Sequence, residues 1–466
     1  MTSNAASLES LLAELHEKSS VLQGWDAALS LSETAINTFI QHQWTALTKD
    51  GKLAGAVTWC SGIQNVQNQH HASVTQVEFS LAAPQIELQG GQAHVIVRQA
   101  LHSVRVKTGT AKVNSALNPA DCRFAANDPN VSWSPAINAA TSNASSVQAT
   151  LPVSVVQGLV SADTHSVVLE FAAASFAAQG LTGTSIDHAA FADQLPHWFA
   201  SSNFRPIIAS VDFGNHANLA ALQPTSFKLN VPQSAGGNSS LQLLIATQGN
   251  QPAATSINVT EPVPVDAGSA YSLMISSKVL IQNVLVDGYN RGTGLVKLVS
   301  VAPDTADGAW YAQTRNPMQY QGKVSFGGTF PDIERSASLG MNFRGSVADG
   351  PSISTYIAPG ANINLQLGVS ANYPLKLSGE GGDQQIQLSA GPIAVSATGL
   401  AENVVKPQLE SFLNNDIKND MAAVSLAPVS NFALKNLQFP GHIPKMTHVQ
   451  LPGDLLIVGT FEQTSP

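Results

Sequence analysis

This sequence has little charge. Asp, Glu, Lys and Arg make up 11% of it, against ~25% in ordinary soluble domains. Its polar surface must therefore come from Ser, Thr, Asn, Gln and Gly. That suits antiparallel sheets with many turns better than helical bundles, whose exposed faces favour Glu and Lys. Lys and Arg form no cluster, and the net charge is -9. This excludes nucleic acid and an anionic membrane patch as natural partners. No uncharged apolar run reaches ~18 residues, so no transmembrane helix is expected. The first residues, MTSNAASLESLLAELHEK, lack the basic start and apolar stretch of a secretory signal. A soluble protein is expected, cytoplasmic or released without a signal peptide. The two cysteines, Cys60 and Cys122, make neither a metal pattern nor a disulfide framework. Aromatic residues reach only 6%, so few large rings are available to plug an interior.

What the chain does have is 466 residues and 44% apolar content, enough for a large core. Its cleanest helical period runs from Gly399 to Val424. Leu409, Phe412, Leu413, Ile417, Met421 and Val424 step by three and four and make one stripe. Pro407 starts or kinks that helix. Nearly everything around it reads as strand, and a lone amphipathic helix among strands must bury its stripe on a sheet.

Ser7 to Leu22 reads as a short leading helix. A helix over 31–47 follows from Ile36, Phe39, Ile40, Trp44 and Leu47, with Ser30 and Glu33 as a capping box. After Gly51 the period changes to two. Val74 to Leu81, Ile86 and Leu88, Val95 and Val97, and Val104 and Val106 form a meander with turns at Gly90-Gly91 and Leu101-His102. Residues 114–150 read as a long irregular insertion. Strands resume at 151–160 and 167–172. Asp187 to Ser201 reads as a helix interrupted by Pro196, and 204–265 returns to strand, most clearly at SLQLLIAT. A further helix, SSKVLIQNVLV, ends near Gly288. Strands fill 295–395 and close the chain at 432–439 and 455–461.

This order reads twice as helix, meander, helix, strands. Ser202-Asn203-Phe204 before Val211 echoes Ser430-Asn431-Phe432 before Leu437. Leu243 to Thr247 echoes Leu455 to Thr460. The fold class expected is α+β, with long twisted antiparallel sheets wrapped on amphipathic helices. Two tandem modules, 25–265 and 266–466, follow a leader at 1–24. A twisted sheet around a helix makes a tube. Either that tube holds a dry apolar slot fit for an acyl chain, or side chains fill it.

Catalytic and metal patterns are missing. There is no Gly-x-Ser-x-Gly elbow, no P-loop and no His-Glu-x-x-His. His70 and His71 read as exposed loop residues; on a strand they would face opposite ways. Asp304 to Gly308 and Gly381 to Asp383 read as turns. Trp133, Trp198 and Trp310 are candidates for an interfacial role if exposed at loop tips; packing under their own loops is the alternative, preferred for Trp198. No cofactor and no enzymatic activity are expected.

Gly24-Trp25-Asp26, with Ser32 and Asn37 following, is similar to the Trp-Asp start of a known family. So are Ala82-Ala83-Pro84, the strip LQPTSFKLNV to SLQLLIATQG, and Val263-Pro264-Val265 leading into SLMISSKVLIQNVLV. The chain resembles the clostridial 47-kilodalton protein and OrfX family, encoded beside some botulinum neurotoxin genes. The similarity is diffuse and covers most of the chain. It is most specific at Trp25-Asp26 and over 222–288. The composition, rich in Ala, Gln and Ser and poor in Lys and Ile, departs from clostridial members. The resemblance implies a tubular lipid-binding (TULIP) fold, like that of bactericidal/permeability-increasing protein. It also implies lipid binding, an accessory role beside toxins and no catalytic residues. The expected ligand is a lipid or another hydrophobic small molecule. It would lie against Leu409, Phe412, Leu413, Ile417 and Met421, with Val279, Leu280, Val284 and Leu285 in the same tube. Proteins encoded nearby are the partners if the tube is filled.

Overall fold

The computed structural model describes residues 12, 21–22, 24–48, 50–89, 94–113, 124–152, 166–182, 186–202, 204–211, 221–232, 240–247, 269–291, 296–305, 308–324, 333–345, 352–357, 365–389, 393–399, 406–407, 410–411, 414–415, 419 and 424–464. The first elements are β1 (Ala27–Ser32), α1 (Glu33–Leu47), β2 (Leu53–Val66), β3 (Gln69–Leu81), β4 (Gln85–Leu88) and β5 (His94–Val113). Then come β6 (Val131–Trp133), β7 (Ile137–Asn138), β8 (Ala140–Pro152), β9 (Ser166–Val168), β10 (Ser175–Thr182) and α2 (His188–Ser202). The middle of the chain holds β11 (Ile207–Val211), β12 (Pro224–Asn230), β13 (Ser240–Thr247) and β14 (Tyr271–Ile275). The next helix, α3, is α-helical over Ser277–Val279, π-helical over Leu280–Val286 and α-helical again over Asp287–Arg291.

Strands follow as β15 (Leu298–Val301), β16 (Tyr311–Thr314), β17 (Met318–Val324), β18 (Ile333–Arg344), β19 (Ser352–Ile357) and β20 (Leu365–Asn372). After β21 (Leu375–Ser378), β22 (Gln385–Leu388) and β23 (Ile393–Gly399) comes α4, formed by Ala427–Asn431 and Phe432–Asn436. The chain closes with β24 (Leu437–Gln438), β25 (His442–Gln450) and β26 (Leu455–Gln463). This is a strand-rich α+β fold.

Its centre is a six-stranded sheet ordered β12-β13-β1-β14-β26-β25. β1 pairs antiparallel with β14 at Ala28↔Met274, flanked by Ala27↔Ile275 and Leu29↔Leu273. The two sides of that pair match. Ala27 faces Ile245 on β13, and Leu273 faces Ile457 on β26. Even the irregularities correspond. The register shifts between Pro224 and Ser226 on one side and between Met446 and His448 on the other. There the Thr225 hydroxyl donates to the Ala246 carbonyl (3.2 Å) and the Thr447 hydroxyl to that of Val458 (3.1 Å). The sheet therefore carries a local two-fold between Ala28 and Met274. The echoed segments after the two Ser-Asn-Phe triplets also meet, as Val211↔Leu437 in the small sheet β24-β11-β9.

Alternation along the central strands splits their side chains between two layers. Leu29, Leu243, Ile245, Leu273, Ile275 and Ile457 enter one large core. Ala28, Leu244, Ala246, Met274, Leu456 and Val458 form the other face, capped by Leu22 and Trp25 with Leu12 and Val21 packed against it. Two buried carboxylates pin this region. Asp26 accepts from the Thr247 N–H (2.7 Å) and hydroxyl (3.0 Å). Asp454 accepts from the Ser277 N–H (2.7 Å) and the Val21 N–H (3.1 Å).

An eight-stranded sheet, β10-β8-β5-β3-β2 with β4, β6 and β7 attached to β5, follows the first helix. A seven-stranded one, β15-β16-β18-β19-β20-β23 with β17, follows α3. Helix α2 packs against both β10 and β2, the two ends of the first path. A sheet whose end strands both reach one helix is curled around it.

Several expectations change. The N-cap of α1 is Ser32, whose hydroxyl oxygen accepts from Ala35 N–H (3.1 Å). Ser30 lies inside β1, which runs two residues past the expected cap, and takes a hydrogen bond from Gln242 instead. Leu101-His102 is no turn. β5 runs on, and a bulge against Ser80 and Leu81 absorbs the extra residue. The expected insertion ends in β8, a 13-residue strand whose Ala, Ser and Thr alternate too weakly in polarity to be read as one. His70 and His71 sit in β3, half-buried and paired with Asn65 and Gln64. Helix α2 continues through Pro196. Residues 432–436 are helical, and only 437–438 are strand. The stretch 248–268, which holds the expected boundary near 265, and most of 400–423 lie outside the described residues.

Cys60 is disulfide-bonded, and Cys122 is the chain's only other cysteine. The low cysteine count had argued against a disulfide, but a single bridge needs no recurring pattern. Denatured, unreduced protein should show no reactive thiol, and two after reduction; free thiols before reduction would contradict the bridge. Two buried phenols give a second expectation. Tyr271 and Tyr373 are each 1% exposed, and neither hydroxyl has a hydrogen-bond partner. Burial pushes Tyr373 up from 10.0 to about 12 and Tyr271 in the same direction. Below the unfolded value both states hold the proton. As pH rises from there towards 12, only the unfolded chain releases it, so stability falls. Melting temperature should drop through that window, and less steeply in Tyr373→Phe; identical slopes would refute the assignment.

Candidate functional site

Of the expected ligand stripe, Val279, Leu280, Val284 and Leu285 are at most 5% exposed on α3. The first three belong to the main core. Ser276 caps α3, its hydroxyl oxygen accepting from Val279 N–H (3.3 Å). The helix packs against β15 and β16, and Tyr289 meets Phe343 at 6.1 Å between ring centroids. A Cβ on Gly288 would lie 3.4 Å from Val424, so the end of α3 sits beside the end of the Gly399–Val424 stretch. Leu409, Phe412, Leu413, Ile417 and Met421 lie outside the described residues.

The curled first sheet is plugged where α2 crosses it. Phe79 meets Phe191 at 5.5 Å and Trp198 at 5.0 Å. Phe199 stacks between Phe171 (4.9 Å) and Phe176 (5.3 Å). A Cβ on Gly55 would fall 2.6 Å from both Phe79 and Trp198, so the glycine makes room for the rings. Low aromatic content had leaned towards open space, yet the rings are concentrated here. The loop tryptophans are also fastened. Trp133 donates its indole N–H to Asp128 O (3.1 Å) under the Lys107 ammonium (4.8 Å). Trp310 is half-buried, its backbone N–H on Ser277 Oγ (3.1 Å). Neither is an exposed loop tip.

The sequence reading missed a cleft of about 890 Å³ along α1. Its floor is the polar side of that helix: Thr34, Asn37, Thr38, Gln41, His42 and Thr45. Gln85 to Glu87 and Arg98 form one wall, and His442 and Gln463 the other. The floor is locked to the wall. Asn37 Nδ2 donates to the Ile86 carbonyl (3.0 Å), and the Ile86 N–H returns to Asn37 Oδ1 (2.7 Å). The Glu33 carboxylate accepts the Leu88 N–H (2.9 Å). Together they stand in for a strand along the outer edge of β4. Arg98 pairs with Glu87 at 3.0 Å, both half-exposed.

On the far wall, the His42 and His442 rings meet edge to face at 5.8 Å. His442 Nδ1 lies 2.7 Å from the Pro440 carbonyl. Gly441 has φ +69, and a Cβ there would fall 2.3 Å from His42 Nε2, so only glycine fits the turn beneath that ring. Further along the same hairpin, a hydrogen bond to Glu462 (2.5 Å) holds the Lys445 ammonium above its usual value. The signal was there to read: Thr34, Thr38, Gln41 and Thr45 repeat at helical spacing opposite the apolar stripe.

A smaller cleft of about 380 Å³ lies at the start of α3, between Trp25, Asp26, Lys278, Asp304 and Trp310. Among the described residues no three His, Cys, Asp or Glu side chains gather as metal ligands. Nor, among the described residues, is any helix long and apolar enough to cross a membrane.

No protein-family model matches the sequence, and no curated protein matches it. Solved structures do. P47 of Clostridium botulinum E1 is 12% identical over 94% of this chain and 99% of its own, with a TM-score of 0.50. P47 of Clostridium botulinum A2 is 10% identical over 94% and 98%, with a TM-score of 0.53. A lipopolysaccharide binding protein aligns over 95% and 100% at 9% identity, but its TM-score of 0.33 is too low to establish a common fold. The chain shares the fold of P47 along nearly its whole length.

Asn37 should matter to stability through its double hydrogen bond. Asn37→Ala leaves the Ile86 N–H and carbonyl without their partner at the edge of β4 and should cost about 1–3 kcal/mol in urea unfolding. Thr38→Ala, one position along on the exposed face, should stay within about 0.5 kcal/mol of the parent. Equal effects would show that the amide does not hold β4.

Proposed function

We propose that this protein is a non-enzymatic binder of a lipid or another hydrophobic ligand. In this reading it is built from two tandem TULIP-like modules, 25–265 and 266–466. The observation that carries it is that this chain curls a sheet onto a helix, as both ends of the eight-stranded sheet reach α2, even though aromatic rings fill that first wrap. A sheet closed on a helix is the architecture that can enclose an acyl chain. The two-fold in the central sheet supports a second wrap of the same kind around α3. The likeness to P47 supports the overall fold.

The two wraps differ in what this reading asks of them. The aromatic plug on α2 leaves no length for a ligand at that point in the first. In this reading the ligand is expected in the second, against Val279, Leu280, Val284 and Leu285. The Cys60 disulfide favours release from the cell over a life in a reducing cytoplasm.

The filled first wrap also favours a second reading, in which the protein is a scaffold for proteins encoded nearby, as in a toxin-associated complex. Native mass spectrometry separates the two. The hydrophobic-binder reading expects a mass excess of one acyl species per chain, removed by organic extraction and reduced in Leu285→Trp, which narrows the slot without adding charge. A bare-chain mass, with no uptake of added palmitate or phosphatidylglycerol, would overturn that reading in favour of the scaffold.

A further inference from the structure

The cleft on α1 has no occupant in either reading. We propose that it binds an uncharged oligosaccharide. Its size falls within the ~300–1,000 Å³ of sites that enclose small ligands, and its chemistry selects hydroxyl groups. The Thr38 hydroxyl donates to the Thr34 carbonyl (2.8 Å) and the Thr45 hydroxyl to the Gln41 carbonyl (2.8 Å). With their own protons committed, these oxygens act as acceptors; Thr45 Oγ1 already takes one long bond from Gln41 Nε2 (3.4 Å) and keeps a second lone pair. Gln41 offers both a donor and an acceptor. On one wall Arg98 keeps donors beyond those on Glu87. On the other, an Nδ1–H on the Pro440 carbonyl leaves His442 Nε2 as an acceptor. Sugar hydroxyls donate and accept at once, and this mixed lining answers both roles. The lining is also fixed before anything binds, because hydrogen bonds along α1 and to β4 hold it, so little ordering entropy opposes association.

Other ligand classes fit less well. An acyl chain would find only Pro84 and Ile86 as apolar wall. A phosphate would find one guanidinium, already beside Glu87. An extended peptide would need a free strand edge, and Asn37 and Glu33 occupy that of β4. The proposal places nothing inside either wrapped sheet, so it stands or falls apart from the hydrophobic-ligand reading.

The test is saturation-transfer NMR and calorimetry on the full chain with maltotetraose, cellotetraose, chitotetraose and N-acetyllactosamine oligomers. Wild type should bind at least one. Thr38→Trp fills the cleft from an exposed position, and Gln41→Ala removes a donor and an acceptor. Each should weaken that binding at least tenfold at unchanged melting temperature. Absence of binding across the panel, or equal binding by Thr38→Trp, would overturn the proposal. So would displacement of the bound sugar from the same residues by an unrelated extended peptide at lower concentration.

Discussion

The antiparallel contact of β1 with β14 is what the rest of the molecule hangs from. It is the only place where strands from before residue 265 and after it pair within the central sheet, and it sits in the middle of six. Each of these two strands leads directly into a capped helix, and each helix is followed by a large sheet. Fixing Ala28 opposite Met274 therefore fixes where both halves begin. A slip of one residue would swap the two faces of every strand it touched, moving Leu29 and Leu273 out of the main core and Ser30 and Ser272 into it. Asp26 and Asp454 guard against that slip from the strand ends. Each is buried, Asp26 on the Thr247 N–H and hydroxyl and Asp454 on the Ser277 and Val21 N–H groups, which a shifted register would not supply.

A chain so poor in charge must close its edges by other means. It does so repeatedly with side-chain carboxamides. Asn37 clamps Ile86, and Gln43 clamps Ile207 through both backbone groups (2.8 and 2.9 Å). Asn290 does the same to Leu298 (2.9 and 2.8 Å), and Gln384 to Met446 (2.9 and 2.7 Å). A carboxamide presents one donor and one acceptor in the geometry of a peptide group, so it can end a ladder as a strand would. Each such bond adds only about 0.5–1.5 kcal/mol, but an unsatisfied buried backbone group costs more. The abundance of Gln and Asn thus belongs to the architecture, beyond its use as polar surface.

Much of this was legible in the sequence. The strand SLQLLIAT occupies the residues expected of it, because both its faces are buried and every position but Gln242 is apolar or small. Helix α1 was legible from its stripe, and the echoed segments turned out to be symmetry partners. What could not be read has definite causes. β8 hides because Ala, Ser and Thr do not alternate in polarity strongly enough to mark a face. The cap moved from Ser30 to Ser32 because β1 is long enough to pair with both neighbours, a tertiary demand that local capping rules do not contain. The cleft on α1 went unseen because attention to an apolar stripe treats the opposite face as mere solvent surface.

That last point bears on how the molecule divides its work. The local two-fold gives two strands feeding two helices, yet the surroundings of those helices differ. α1 keeps a polar, walled face open to solvent, locked to β4 by Asn37 and Glu33. α3 is apolar through Val279, Leu280, Val284 and Leu285 and lies under β15 and β16. The aromatic plug of Phe79, Phe191, Trp198 and Phe199 makes the first sheet a rigid support, with no interior left at α2. A rigid support can hold hydroxyl- and amide-bearing side chains in place on its outside. Both helices bury their apolar stripe, and what distinguishes α1 is the walled cleft over its polar side.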